Sequence, residues 1–165
     1  MSPDDPAVTD VLQRAMVARI ATLSRNRRPN INPLYFVCVD GNIHLGTSDR
    51  TLAAFNIEAN PDVAILFNVE GDPDDRRVLR IRGRATVRTD PGLERSYVRR
   101  AIRKYFMSWR GLTNTLRNAR LVPVMHRYHA SGEKGRACVV DVIPEYAEWL
   151  TAPPRAVSST GQNER

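Results

Sequence analysis

The sequence predicts a mainly β protein with helices, its antiparallel sheet closing into a small barrel. Three observations carry this expectation. Six short apolar or alternating segments recur between residues 19 and 143. Turn signals join them, of which Asp40-Gly41 is the strongest hairpin signal. The segment from Val78 to Arg88 alternates strictly, with Leu79, Ile81, Gly83, Ala85 and Val87 on one face and Arg80, Arg82, Arg84 and Thr86 on the other. The chain has 165 residues and is 42% hydrophobic, enough for one domain with a real core. Residues 1–150 are expected to form that domain. Residues 151–165, "TAPPRAVSSTGQNER", have the composition of a disordered tail.

Each element has a local reason. Asp5-Pro6 is an N-cap followed by proline at the first helical position, and Val8, Val11, Leu12, Ala15 and Met16 continue as an amphipathic stripe. "RIATLS", 19–24, is extended, and "RNRRPN" turns the chain. Residues 30–39, "NINPLYFVCV", form one strand, and Pro33 places it at an edge or a bulge. "NIHLGT" returns from the Asp40-Gly41 turn. A helix from about Thr51 stops at Asn60, because the residue before proline avoids helical backbone. "DVAILFNV" is a buried strand, and "EGDPDD", 70–75, is an exposed acidic turn. A long helix then carries Leu93, Tyr97, Val98, Ala101, Ile102, Tyr105, Phe106 and Trp109 on one apolar stripe. Residues 110–135 suggest a short helix around Leu112–Leu116 and an irregular loop. "RACVVDVI", 136–143, is the last strand, with Tyr146 and Trp149 beyond it.

Composition excludes several functions. No apolar run approaches the roughly 20 residues that span a bilayer, and the acidic start "MSPDDPAVTD" lacks a signal-peptide pattern. A cytoplasmic protein is expected. Cys38 and Cys138, each in an apolar strand, are expected to be free thiols. The net charge of +7 comes almost entirely from arginine, which suits phosphates and carboxylates. Nucleic acid is the weaker use of that charge, because stacking would require aromatics exposed among the arginines. Arginines of the long helix suit a solvated face or partners for the acidic turn across a dimer. His126 and His129 stand three apart, but "VPVMHRYHASG" makes a poor helix and offers no further ligand, so no metal site is assigned. His44 is assigned to structure.

"GTSDRTLAAFN", 46–56, is the one stretch with the makings of an anion site. It runs from a strand through a polar loop into a helix start, where backbone N–H groups point outward. Thr47, Ser48, Arg50 and Thr51 add side-chain donors. The competing interpretation is a capped helix start with Ser48 or Asp49 as the cap. Asn32 is polar within an apolar strand and needs a partner if buried. Tyr35 and Phe36 suit either a planar ligand or the core.

The ordered set "VARIATLSRNRRPNINPLYFV" (17–37), "GNIHLGTS" (41–48), "NIEANPDVAILF" (56–67) and "LRIRGRATV" (79–87) resembles the pyridoxamine 5′-phosphate oxidase-like split-barrel superfamily. Within it the chain is most similar to the flavin- and deazaflavin-dependent oxidoreductases. The resemblance implies a six-stranded split β-barrel and a homodimer binding FMN or coenzyme F-420 at the dimer interface. It places the ring along 31–37 and the phosphate at 47–51. Asn32, Leu34, Tyr35, Thr47, Ser48, Arg50 and Thr51 would line that groove, and Tyr35 is the only candidate proton donor. The substrate would be a small organic molecule. One departure matters: the basic residues that grip the phosphate in many members correspond here to Leu52, Ala53 and Phe55. Arg50 is the substitute ligand, with Arg80, Arg82 and Arg84 as further cations on a neighbouring strand. That departure keeps a second function in view, a non-enzymatic binder of flavin, haem or another planar anion. A basic protein associated with nucleic acid is the third.

Overall fold

The computed structural model describes residues 2–70, 72, 75–107 and 135–151. The expected helix near Leu112–Leu116, Trp109, the His126–His129 pair and the tail beyond Thr151 lie outside the described residues. Helix α1 spans Pro6–Arg14. The Asp5 carboxylate accepts the Ala7 N–H at 2.8 Å, and Pro6 occupies the first helical position, as its sequence dictates. Val8 and Val11 are fully buried by this helix.

Among the described residues the sheet has seven strands, all antiparallel: β1 (Ala18–Leu23), β2 (Pro29–Leu34), β3 (Phe36–Val39), β4 (Asn42–Ser48), β5 (Asp62–Asn68), β6 (Arg77–Arg88) and β7 (Ala137–Thr151). Their order is β2-β1-β5-β6-β7-β4-β3. The expected six become seven because 30–39 is not one strand. Its first half pairs with β1 and its second half with β4. The two edges of the curled sheet are thus consecutive in the chain, joined at Tyr35 without a ladder between them, which makes the barrel split. Pro33 lies in edge strand β2, where a missing N–H removes no inner ladder bond. Asp40 and Gly41 both have positive φ, 50° and 84°, as the β3–β4 hairpin turn requires.

The last strand is longer than expected and includes Tyr146 and Trp149. Pro144 does not end it, because the ladder shifts register between Arg82 and Gly83, opposite that residue. Strict alternation in β6 puts Leu79, Ile81 and Ala85 in the core, with Ile20, Phe36, Leu45, Ile65, Phe67, Val140 and Val142 from the other strands. Helix α2 (Leu52–Ala59) buries Ala53, Ala54, Asn56 and Ile57 against the sheet; the Asn56 amide donates to the Thr22 hydroxyl at 3.0 Å.

Helix α3 (Pro91–Tyr105) starts at an Asp90 cap, whose carboxylate accepts the Gly92 and Leu93 N–H groups. Its apolar stripe is only partly covered. Tyr105 is buried, while Val98, Ile102 and Phe106 stay exposed, since one flank of the helix suffices to pack on β3 and β7. The described residues of the acidic turn pair with Arg14, Arg19 and Arg77 of the same chain. Arg14 meets Asp72 at 2.6 Å and Asp75 at 2.8 Å, Arg77 meets Asp10 and Asp75, and Arg19 meets Glu70. These pairs tie α1 to the β5–β6 turn and hold the Asp75 carboxyl well below the usual range, chiefly through the Arg77 hydrogen bond. Among the described residues no helix is long and apolar enough to cross a membrane. Cys38 and Cys138 are free thiols.

Candidate functional site

The β2–β3 corner brings together the two stretches singled out in the sequence. The Gly46 N–H donates to the Tyr35 carbonyl at 3.2 Å. The ring-strand residues therefore sit beside the end of β4, from which the loop 47–51 departs. Tyr35 is 46% exposed at this corner. Asn32 and Leu34 point the other way. Asn32 is paired with core residue Ile20, and Leu34 packs on the core. Asn32 Oδ1 is buried with no hydrogen-bond partner.

The loop is a tightly bonded turn. Thr51, not Ser48 or Asp49, caps α2: its hydroxyl accepts the Ala54 N–H at 3.3 Å and donates to the Ser48 carbonyl at 2.8 Å. Thr47 Oγ1 lies 3.1 Å from the same hydroxyl. The Asp49 N–H donates to the Arg136 carbonyl, and the Asp49 carboxylate accepts the Arg136 N–H at 2.9 Å. Arg50 N–H and Thr51 N–H both turn back to Ser48. The loop amides are thus engaged internally. The N–H groups of Leu52 and Ala53, in the first helical turn, have no acceptor within their own helix. Arg50 is exposed and makes no ion pair among the described residues. Leu52 and Phe55, beside it on α2, are 51% and 55% exposed.

The arginines of β6 are largely committed elsewhere. Arg80 pairs with Glu148 at 2.6 Å, Arg82 lies over the Tyr146 ring at 4.9 Å, and Arg84 reaches Asp62 at 3.5 Å. They belong to the outer face of β2-β1-β5-β6-β7, where register aligns Ile31, Ala21, Ala64, Arg82 and Tyr146 in one row.

Three contributors to the corner escaped sequence reasoning. The Tyr97 hydroxyl donates to the Tyr35 carbonyl at 3.2 Å. Its ring lies against Gly46, where a Cβ would stand 2.5 Å from the hydroxyl oxygen, so a larger residue there would displace the ring. Burial pushes the Tyr97 hydroxyl up to about 12. The Tyr105 hydroxyl accepts the Phe36 N–H and donates to the Phe36 carbonyl, both at 2.9 Å. Gly135, at φ 72°, packs so closely on Ser48, Asp49 and Arg50 that a Cβ there would collide with them. Glycines at 46 and 135 were the available signals, but neither names its neighbour. His44 is buried, with Nε2 3.2 Å from Asp141. Among the described residues no His, Cys, Asp or Glu cluster could hold a metal.

The family model described as pyridoxamine 5′-phosphate oxidase matches residues 4–130, and the chain belongs to that family. Solved structures share the fold at low identity. A conserved hypothetical protein of Mycobacterium tuberculosis is 16% identical, with 97% of this chain and 94% of that one covered and a TM-score of 0.67. An F-420 reductase is 19% identical over 84% of this chain and 94% of its own, with a TM-score of 0.58. HutZ, the haem storage protein of Vibrio cholerae, is 15% identical over 89% and 93%, with a TM-score of 0.54. No curated protein matches the chain.

Proposed function

We propose that this chain is a cytoplasmic oxidoreductase that holds FMN or coenzyme F-420 in a groove at the Tyr35 corner, as a homodimer. The contact carrying this proposal is the Gly46–Tyr35 hydrogen bond, which sets an exposed aromatic beside a loop bearing an exposed arginine. The bound cofactor would supply hydride transfer at its ring. The chain's own groups would position it. Tyr35 flanks the ring and Leu34 supports that corner from the core side, Thr47, Ser48 and Thr51 shape the loop, and Arg50 meets the phosphate with the Leu52 and Ala53 N–H groups. Asn32 would contribute from behind the strand, through the carbonyl oxygen it leaves without a partner. The uncovered outer face, with Ile31 63% exposed and small residues Ala21 and Ala64 beside it, supports a second copy as its cover.

Titration with FMN and, separately, F-420 tests this directly, with ring fluorescence as the signal. One of the two is expected to bind, and Arg50→Ala to weaken it about tenfold or more, since a charge-assisted contact contributes about 1.5–3 kcal/mol. Light scattering on Ala64→Arg should show a monomer with the same loss. Absence of binding by either cofactor overturns the oxidoreductase, and equal binding by Arg50→Ala removes Arg50 from the site.

Leu52 and Phe55 favour a second function. They expose apolar surface where the resemblance calls for basic side chains, which suits a planar anion without a phosphate tail. Haem titration distinguishes the two: a strong new visible absorbance band, with no response to FMN or F-420, establishes the binder.

A further inference from the structure

Seven residues beyond Tyr97, about 10 Å along the helix axis, α3 meets α1 across a cavity of about 940 Å³. None of the groove residues at the Tyr35 corner lines it. The two walls are complementary stripes at i, i+3, i+4 and i+7 spacing. Thr9, Leu12, Gln13 and Met16 come from α1 and the residues just after it. Arg100, Arg103, Lys104 and Met107 come from α3 and its end. Cys38 of the β3–β4 hairpin opens at the floor, above the packed core residues Ile43 and Ile81.

The charges are unequal. Lys104 carries its ammonium into the apolar wall, 3.4 Å from the Phe36 ring centroid, and donates to the Leu12 carbonyl at 3.0 Å. Burial lowers its pKa to about 8, so an anion beside it would favour the charged form. Arg100 and Arg103 are exposed at the rim and form no ion pair among the described residues. Arg14 also reaches the wall, but Asp72 and Asp75 hold its guanidinium. Glu70, a carboxylate that raises the Lys104 pKa after Cys38, is bonded to Arg19 and the Met16 N–H. Asp4 is the lone carboxylate among the described lining residues.

We propose that this cavity binds a small amphiphilic anion, an apolar body carrying one carboxylate, with the carboxylate at Lys104 and the body along Leu12, Met16 and Met107. The volume lies within the range of small-molecule pockets, about 300–1,000 Å³. One amine set in an apolar wall matches a single head group, and the rim arginines steer it inward. Cys38 opens onto the same space and reports occupancy.

Dodecanoate and its uncharged analogue dodecanol are the probes, titrated into the full chain by calorimetry. N-ethylmaleimide alkylation of Cys38 is followed in parallel by mass spectrometry. Dodecanoate should bind about tenfold or more tightly than dodecanol and slow Cys38 alkylation. Lys104→Met should bring the acid down to the alcohol's affinity. If that variant does not fold, the exposed pair Arg100→Gln with Arg103→Gln should weaken the acid and spare the alcohol. Excess FMN should change none of this. Equal binding of acid and alcohol, an unprotected Cys38, no binding below about 1 mM, or displacement by FMN overturns the proposal.

Discussion

Tyr105 satisfies a strand edge with one hydroxyl. Phe36 lies at the free side of β3, where the sheet ends, and its N–H and carbonyl would otherwise face the buried side of α3. The hydroxyl serves both, accepting from one and donating to the other. Tyr105→Phe keeps the packed ring and strips both bonds. It should lower stability by about 1–3 kcal/mol, the cost of buried polar groups left without partners, read as a shift in the urea midpoint with an unchanged slope. Residue-level bonds of this kind were illegible in the sequence. Tyr105 and Phe36 are both plausible core aromatics, and nothing in either position names the other. Asn32 shows the opposite case. Its need for a partner was legible, while its inward direction depended on the β1–β2 register.

At the scale of elements, two glycines make opposite predictions. In β6 a Cβ at Gly83 would come within collision distance of the Ile143 carbonyl, because the β7 bulge presses main chain onto it. Gly83→Ala forces backbone to move and should cost about 1–3 kcal/mol, measured by urea unfolding. At Gly46 the obstacle is the Tyr97 side chain. A ring can swing where a ladder cannot, so Gly46→Ala should cost less stability. Helix starts, the Asp40-Gly41 turn and the alternation of β6 were legible because caps, positive φ and a period of two are local properties. The break at Tyr35 was not. It arises because two neighbours on opposite sides of the sheet claim the halves of one extended segment. The bulge at Pro144 was hidden for a similar reason: it forms where β7 pairs with β6, and proline by itself does not say whether a strand ends or bulges.

For the molecule as a whole, pH dependence follows from groups scattered through the barrel. Tyr97, Tyr105 and Cys138 all have raised pKa values, Cys138 up to about 11, mainly through burial. An acid with a raised folded pKa loses its proton first in the unfolded chain, so stability falls as pH rises above about 9. Lys104 acts in the other direction. Its folded value of about 8 lies below the ordinary 10.5, so the unfolded chain holds the extra proton and stability rises with pH between those values. Thermal midpoints should therefore decline more steeply for Lys104→Met than for the wild type between pH 8 and 10.5. On the acid side Asp10, Asp75 and Asp90 sit below 3.8 in the fold, so their stabilisation is complete above that value and is lost below it.

Sequence alone determined the helix boundaries at Asp5-Pro6 and Asn60-Pro61, the hairpin at Asp40-Gly41, the inward face of β6 and the family to which the chain belongs. All of these follow from short-range sterics, periodicity or ordered local likeness. Tertiary structure alone decided that Tyr35 is a corner, that Asp49 turns to Arg136, that Arg14 and Arg77 take the acidic turn, and that Lys104 enters an apolar wall. Those outcomes depend on which distant segments pack together, and pairing energies between residues dozens of positions apart leave no mark on either segment by itself.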